Sequence, residues 1–192
     1  PVEHTMSLRL IPDLQVYRPA DALETVVAWE QAIKTKQPST LLLTRQKMDV
    51  LHAHKDAIFA GAPKGGYALS DKGEQLQVVI AASGSEVQLA LKAQEARLDQ
   101  GVGSRVVSLL CWETFDAQPE AYRDSVLPAG VPTIAVEAGV SCGWARFTGS
   151  DKYVLGLNRF GTSAPGQAAY ESLGFTVEAV VALAHKAIAQ KG

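Results

Sequence analysis

Short apolar runs alternate with amphipathic stripes along almost the whole chain. Leu14-Gln15-Val16-Tyr17 alternates in polarity and stops at Arg18-Pro19, which predicts a strand. Asp21 then stands as a cap before a helix whose apolar positions include Leu23, Val26, Val27, Ala28 and Ile33. That spacing turns Glu24, Glu30 and Lys34 toward solvent, and Pro38-Ser39 ends the helix. Thr40-Leu41-Leu42-Leu43-Thr44 is apolar throughout, as in a parallel strand covered on both faces. Together these segments predict a β-α-β unit.

The pattern lapses over residues 46–66, where charged residues and His52 and His54 surround weak apolar positions before Gly61-Ala62-Pro63-Lys64-Gly65-Gly66. This stretch reads as a long loop and a linker. Beyond it the alternation resumes with its own core. Strands are expected at residues 67–69, 76–81, 105–110, 133–136 and 153–157, and helices at 86–99, 116–126 and 175–189. Such alternation predicts an α/β fold, an open mostly parallel sheet with helices on both faces, preceded by a partial β-α-β unit. The expected units are residues 1–46, a linker at 47–66, and a domain at 67–192. Because a lone β-α-β unit leaves a sheet edge bare, the compact part is expected from residue 67 onward.

Composition narrows the function classes. The 192 residues are 47% hydrophobic, enough for a real core. Eighteen basic and twenty acidic residues give a net charge of −2, with no cationic stripe to bind nucleic acid. No apolar run approaches the ~20 residues that span a bilayer, so no membrane partner is expected. The opening Pro-Val-Glu-His-Thr carries no signal-peptide pattern and no initiator Met, which suits a chain that starts inside a longer one. Two cysteines are too few for a secreted disulfide framework, so a cytoplasmic setting is the default.

Candidate chemistry is sparse. Ser83-Gly84-Ser85-Glu86 lies where a strand becomes a helix, and is read as a capping box of Ser85 with Gln88 rather than an anion cradle. His52-Ala53-His54 lacks a third ligand and is read as solvated loop. Cys111 and Cys142 have no activating neighbour and are read as buried apolar side chains. His185 is read as a surface or partly buried residue of the last helix. Glu137 ends a buried strand, and serves either chemistry, a partner or a helix cap. Arg45 follows the strand at residues 40–44 at the mouth of the sheet, where a guanidinium suits bidentate phosphate binding. Composition alone favours a surface ion pair for it.

Several stretches in order resemble the transketolase family: Pro1-Val2-Glu3, Tyr17-Arg18-Pro19-Ala20-Asp21, Leu42-Leu43-Thr44-Arg45-Gln46, Gly84-Ser85-Glu86-Val87, Val136-Glu137-Ala138-Gly139 and Phe160-Gly161-Thr162-Ser163-Ala164-Pro165. Leu173-Gly174-Phe175-Thr176 opens the closing helix as in that family. The resemblance implies the end of a pyrimidine-binding domain followed by a C-terminal domain. It also implies ketol transfer between sugar phosphates in the pentose phosphate pathway, with thiamine diphosphate and a divalent metal (Mg or Ca), in a homodimer. In the family the acidic Gly-Pro-Thr-His-Gln stretch precedes Pro-Val-Glu. The diphosphate and metal ligands, the activating glutamate and the active-site histidines are therefore expected outside this chain, which alone is expected to be non-catalytic. By the same resemblance Arg45, in the Thr-Arg-Gln motif, binds the substrate's phosphate. Lys47-Met48 and Ala82-Ser83 depart from the commoner family residues. Two other readings are a free-standing anion-binding or dimerisation module, and the small subunit of a split transketolase.

Overall fold

Two separate parallel pairings organise the chain in the computed structural model, which describes residues 2–98 and 101–190. After a short helix α1 (His4–Arg9), β1 (Gln15–Tyr17), α2 (Ala22–Lys34) and β2 (Ser39–Leu41) make the expected β-α-β unit, with Val16 opposite Thr40. Asp21 caps α2 by accepting from the Glu24 amide at 2.9 Å, which contributes about 1 kcal/mol. Its other oxygen accepts from the Leu51 amide, so the same carboxylate also holds the chain leading onward.

The segment expected as a linker is instead partly helical. It contains α3 (Lys55–Gly61), flanked by single 3-10 turns, and buries Ile58 and Ala62. Small residues make this possible. Gly65, at φ +81°, sits so close to the next helix that a Cβ would lie 2.4 Å from the Cys111 carbonyl oxygen.

The main sheet has five strands: β3 (Tyr67–Lys72), β4 (Leu76–Ala82), β5 (Gly103–Ser108), β6 (Thr133–Val136) and β7 (Val154–Leu155). Their order is β3-β5-β4-β6-β7, parallel except for β3, which runs antiparallel to β5. Side-chain alternation separates two cores. Val78, Ile80, Ala82, Ile134 and Val136 face α4 (Glu86–Leu98). Val79, Ala81 and Ala135 face Trp112 and Phe115 of α5 (Trp112–Asp116), Val126 of α6 (Glu120–Val126), and Trp144 beside α7 (Ala145–Thr148). One helix was expected over residues 116–126. Pro119 splits that region into α5 and α6, since its ring cannot continue a helix. The strand expected at 153–157 shortens to two residues.

The chain ends in α8 (Gly166–Leu173) and α9 (Val177–Ala189), and α9 buries Val180, Ala184 and Ala187 on the first core. Residues Gly166–Ala189 pass a length and hydropathy test for a membrane span. Gly174, at φ 85°, breaks them into two helices, and the inner face of α9 is spent on the sheet.

Two expectations for the N-terminal part fail. The compact body does not begin at residue 67, because Val16, Tyr17, Ala20, Val27 and Ala28 are buried and most join the first core. The backbone is stitched in as well: Arg18 N–H donates to Leu110 at 2.8 Å, and Gly84 N–H to Arg18 at 2.8 Å. The buried face of α2 holds Val27 and Ala28 as its apolar spacing suggests, but it is rotated to take in Glu24 and leave out Val26 and Ile33. Glu24 is fully buried, while Val26 and Ile33 are 60% and 76% exposed. Three donors converge on that carboxylate: Tyr67 Oη at 2.6 Å, Ser108 Oγ at 2.6 Å and Ala20 N at 2.7 Å. Polar satisfaction has overridden apolar periodicity there.

Candidate functional site

A cleft of about 740 Å³ opens where the carboxyl ends of both sheets meet. Its walls include residues that follow five of the six parallel strands: Arg18 after β1, Arg45 after β2, Ser85 after β4, Ala138 after β6 and Leu157 after β7. Ligands of open α/β sheets bind in the crevice outside such carboxyl ends.

Beneath the cleft lies a buried ion network. Arg9 of α1 reaches Glu137 with two hydrogen bonds of 2.8 and 2.9 Å, and its guanidinium stacks 3.8 Å over the Trp112 ring. Glu137 also accepts from Ser83 Oγ at 2.5 Å and Trp144 Nε1 at 2.8 Å. Burial alone would raise the pKa of Glu137, but the charges of Arg9 and Arg18 outweigh it and hold it at about 2. Arg18 pairs with Glu86 at 2.5 Å and with Glu137 at 3.6 Å. Burial pulls the Arg18 pKa down, yet the two carboxylates win and raise it. Glu86 completes its shell with Ser85 Oγ at 2.7 Å, Tyr170 Oη at 2.5 Å and the Ala138 amide at 2.9 Å. Burial, and then the adjoining Glu86 charge, push the Tyr170 phenol up to about 12. Glu137 is thus a structural hub between the N-terminal segment and the main sheet, which resolves the readings that spacing left open.

The other sequence candidates fall as follows. Arg45 is exposed on the cleft wall, and makes no hydrogen bond or ion pair among the described residues. Ser83 and Ser85 are buried, and their hydroxyls are committed to Glu137, Glu86 and Tyr170. The expected capping box is not what holds Gln88, whose side chain donates to the Asp49 carbonyl at 2.7 Å. Cys111 is buried, and burial pushes its thiol up to about 12, so it is no nucleophile at neutral pH. Cys142 is exposed, contrary to expectation, in the turn leading to α7. His52 and His54 form a 3-10 turn, and no metal-binding group of three or more His, Cys, Asp or Glu occurs among the described residues. His185 is exposed on α9.

Sequence reasoning assigned no role to Arg9, Arg18, Glu86 or Tyr170. One signal could have found two of them. Arg18 and Glu86 each stand within four residues of the end of an apolar strand, as Glu137 does. A charge there must be paired or become part of a site.

The strand-end cleft, with an exposed arginine on the loop after β2, belongs to an α/β protein built on a parallel pair and a mostly parallel five-stranded sheet. Two family models match the chain: the transketolase pyrimidine binding domain over residues 1–50, and the transketolase-like C-terminal domain over residues 65–176. The chain belongs to the transketolase family. It is 48% identical over 182 residues to the transketolase of Aquifex aeolicus, covering 94% of this chain and 26% of that protein. With the Geobacillus stearothermophilus transketolase it shares 45% over 184 residues, 94% of this chain and 28% of that one. It therefore spans little more than a quarter of these relatives. A solved Pichia stipitis transketolase in complex with sedoheptulose 7-phosphate superposes with a TM-score of 0.90 at 39% identity, over 99% of this chain and 27% of that one. A split-gene transketolase, an inactive β4 tetramer, has a TM-score of 0.78 at 26% identity, covering all of this chain and 63% of that one.

Proposed function

We propose that this chain supplies the substrate-phosphate anchor and the C-terminal domain of a transketolase that moves a two-carbon ketol unit between sugar phosphates, working in the cytoplasm as a homodimer. The division into residues 1–46, a connecting segment at 47–66 and a domain at 67–192 belongs to the same reading. The observation that carries it is Arg45, a cation on the cleft wall without a partner among the described residues. A guanidinium there binds a phosphate dianion through two parallel hydrogen bonds and fixes the sugar's remote end, which orients the carbon that reacts.

In this reading thiamine diphosphate and its divalent ion (Mg or Ca) are held by protein beyond this chain. Glu24, Glu86 and Glu137 are turned inward and saturated by their own partners, and no group of metal ligands is assembled. On this proposal the chain by itself is a binding and assembly element, and ketol transfer requires protein beyond it. A second reading, a subunit completed by a separate chain, is favoured by the exposed apolar stripe of Val26, Trp29 and Ile33 on α2.

Titration of the chain with sedoheptulose 7-phosphate tests the anchor. Arg45→Ala should weaken binding by at least about tenfold, the worth of one charge-assisted hydrogen bond. Unchanged affinity in Arg45→Ala would remove the anchor role.

A further inference from the structure

The glutamine after Arg45 is the link between its loop and the C-terminal domain. Among the described residues, those numbered 43–48 make one hydrogen bond, from Gln46 Nε2 to Tyr170 Oη at 3.4 Å, across 124 positions of sequence. Tyr170 is no passive acceptor. Its hydroxyl bonds Glu86 Oε1 at 2.5 Å and lies 3.0 Å from Ser85 Oγ, and Glu86 in turn pairs with Arg18 at 2.5 Å. An unbroken polar chain therefore runs from the loop carrying Arg45 into the buried ion network. The contact is also close in steric terms. A Cβ on Gly166, the first residue of α8, would stand 2.6 Å from Gln46 Oε1. Two distant motifs, Thr44-Arg45-Gln46 and the stretch ending at Pro165, thus meet at one joint. The Tyr170 ring is held edge-on against Phe175, with centroids 5.6 Å apart, so its hydroxyl is presented from a fixed position.

We propose that Tyr170, in the C-terminal domain, is a positioning residue for the phosphate anchor: through Gln46 it fixes the loop after β2 so that Arg45 meets substrate already ordered. The proposal rests on the anchor reading of Arg45 and gives the C-terminal domain a direct part in the substrate site. A loop ordered before binding pays less conformational entropy when the anion arrives. Tyr170→Phe keeps the ring and its packing and removes only the hydroxyl.

The test combines two measurements on the 192-residue chain. In ¹⁵N relaxation the amides of Arg45 and Gln46 should be rigid in the parent, with order parameters of about 0.85, and fall below about 0.6 in Tyr170→Phe while the five strands stay unchanged. Gln46→Ala should give the same change, and the double variant no more than either alone. Affinity for sedoheptulose 7-phosphate should drop about fivefold in Tyr170→Phe, as expected for one lost neutral hydrogen bond. Unaltered order parameters at Arg45 and Gln46 in Tyr170→Phe would overturn the proposal, since Tyr170 would then hold only α8. Arg45→Ala binding as tightly as the parent would overturn the anchor reading instead, and with it the proposal, whatever the loop does.

Discussion

Glu137→Ala should lose about 3–5 kcal/mol of stability in urea unfolding, the cost of leaving buried charge without its partner. The side chain is 3% exposed and Arg9's is 2%, so water cannot take over when the carboxylate goes. Arg9 loses both of its hydrogen bonds to Glu137, while Ser83 Oγ and Trp144 Nε1 each lose an acceptor. Arg18 keeps Glu86 and suffers less. Against a typical domain stability of about 5–15 kcal/mol this loss is a large share. The damage should concentrate at the seam between the N-terminal segment and the main sheet, because Arg9 and Arg18 lie on one side and Glu137 and Glu86 on the other. A loss below about 1 kcal/mol would mean that the network is not what joins them.

The pH dependence of stability should carry two limbs of opposite sign. The pKa of Glu137 is lowered to about 2 in the folded chain from an ordinary 4.5. Its stabilisation is therefore fully present above about 4.5 and is lost as pH falls through about 2. A difference of that size is worth about 3 kcal/mol. Glu24 works the other way. Burial raises its pKa, and the nearby Asp21 charge adds to this, although Ser108, Tyr67 and the Ala20 amide oppose the shift. Its favourable contribution is present below 4.5 and is lost as pH rises through the raised folded value. Urea midpoints measured from pH 2 to 8 should show both limbs. Glu137→Gln should flatten the acidic rise, and Glu24→Gln the decline above it. A Glu137→Gln profile that keeps the parent's acid limb would contradict the assignment.

Strands β4 and β6 were legible because they are nearly continuous apolar runs, as buried parallel strands are, and residues 133–136 needed no adjustment, whereas the strand expected at 40–44 is the half-buried Ser39–Leu41. The cap at Asp21 was legible for a local reason, a short carboxylate just before a periodic stripe. Legibility failed where local pattern and tertiary satisfaction disagree. Helix α3 is carried by little more than Ile58 and Phe59 among small residues, too weak a stripe to stand out, and it is stabilised by packing on β3 and α2. Glu24 was assigned to solvent because a carboxylate usually belongs there. Tyr67 and Ser108, the donors that make burial tolerable, lie 43 and 84 positions away. The site shows the same division. Arg45 was singled out by the family motif and the end of a strand, and the structure puts it on the cleft wall. The Arg9–Glu137 pair spans 128 positions and leaves no local trace.

The most direct test of the central claim is titration calorimetry of the 192-residue chain with thiamine diphosphate and Mg²⁺. A chain that anchors substrate and leaves cofactor binding to protein beyond it should give no saturable heat. Saturable micromolar binding would mean that these residues build a cofactor site of their own, and would contradict the account.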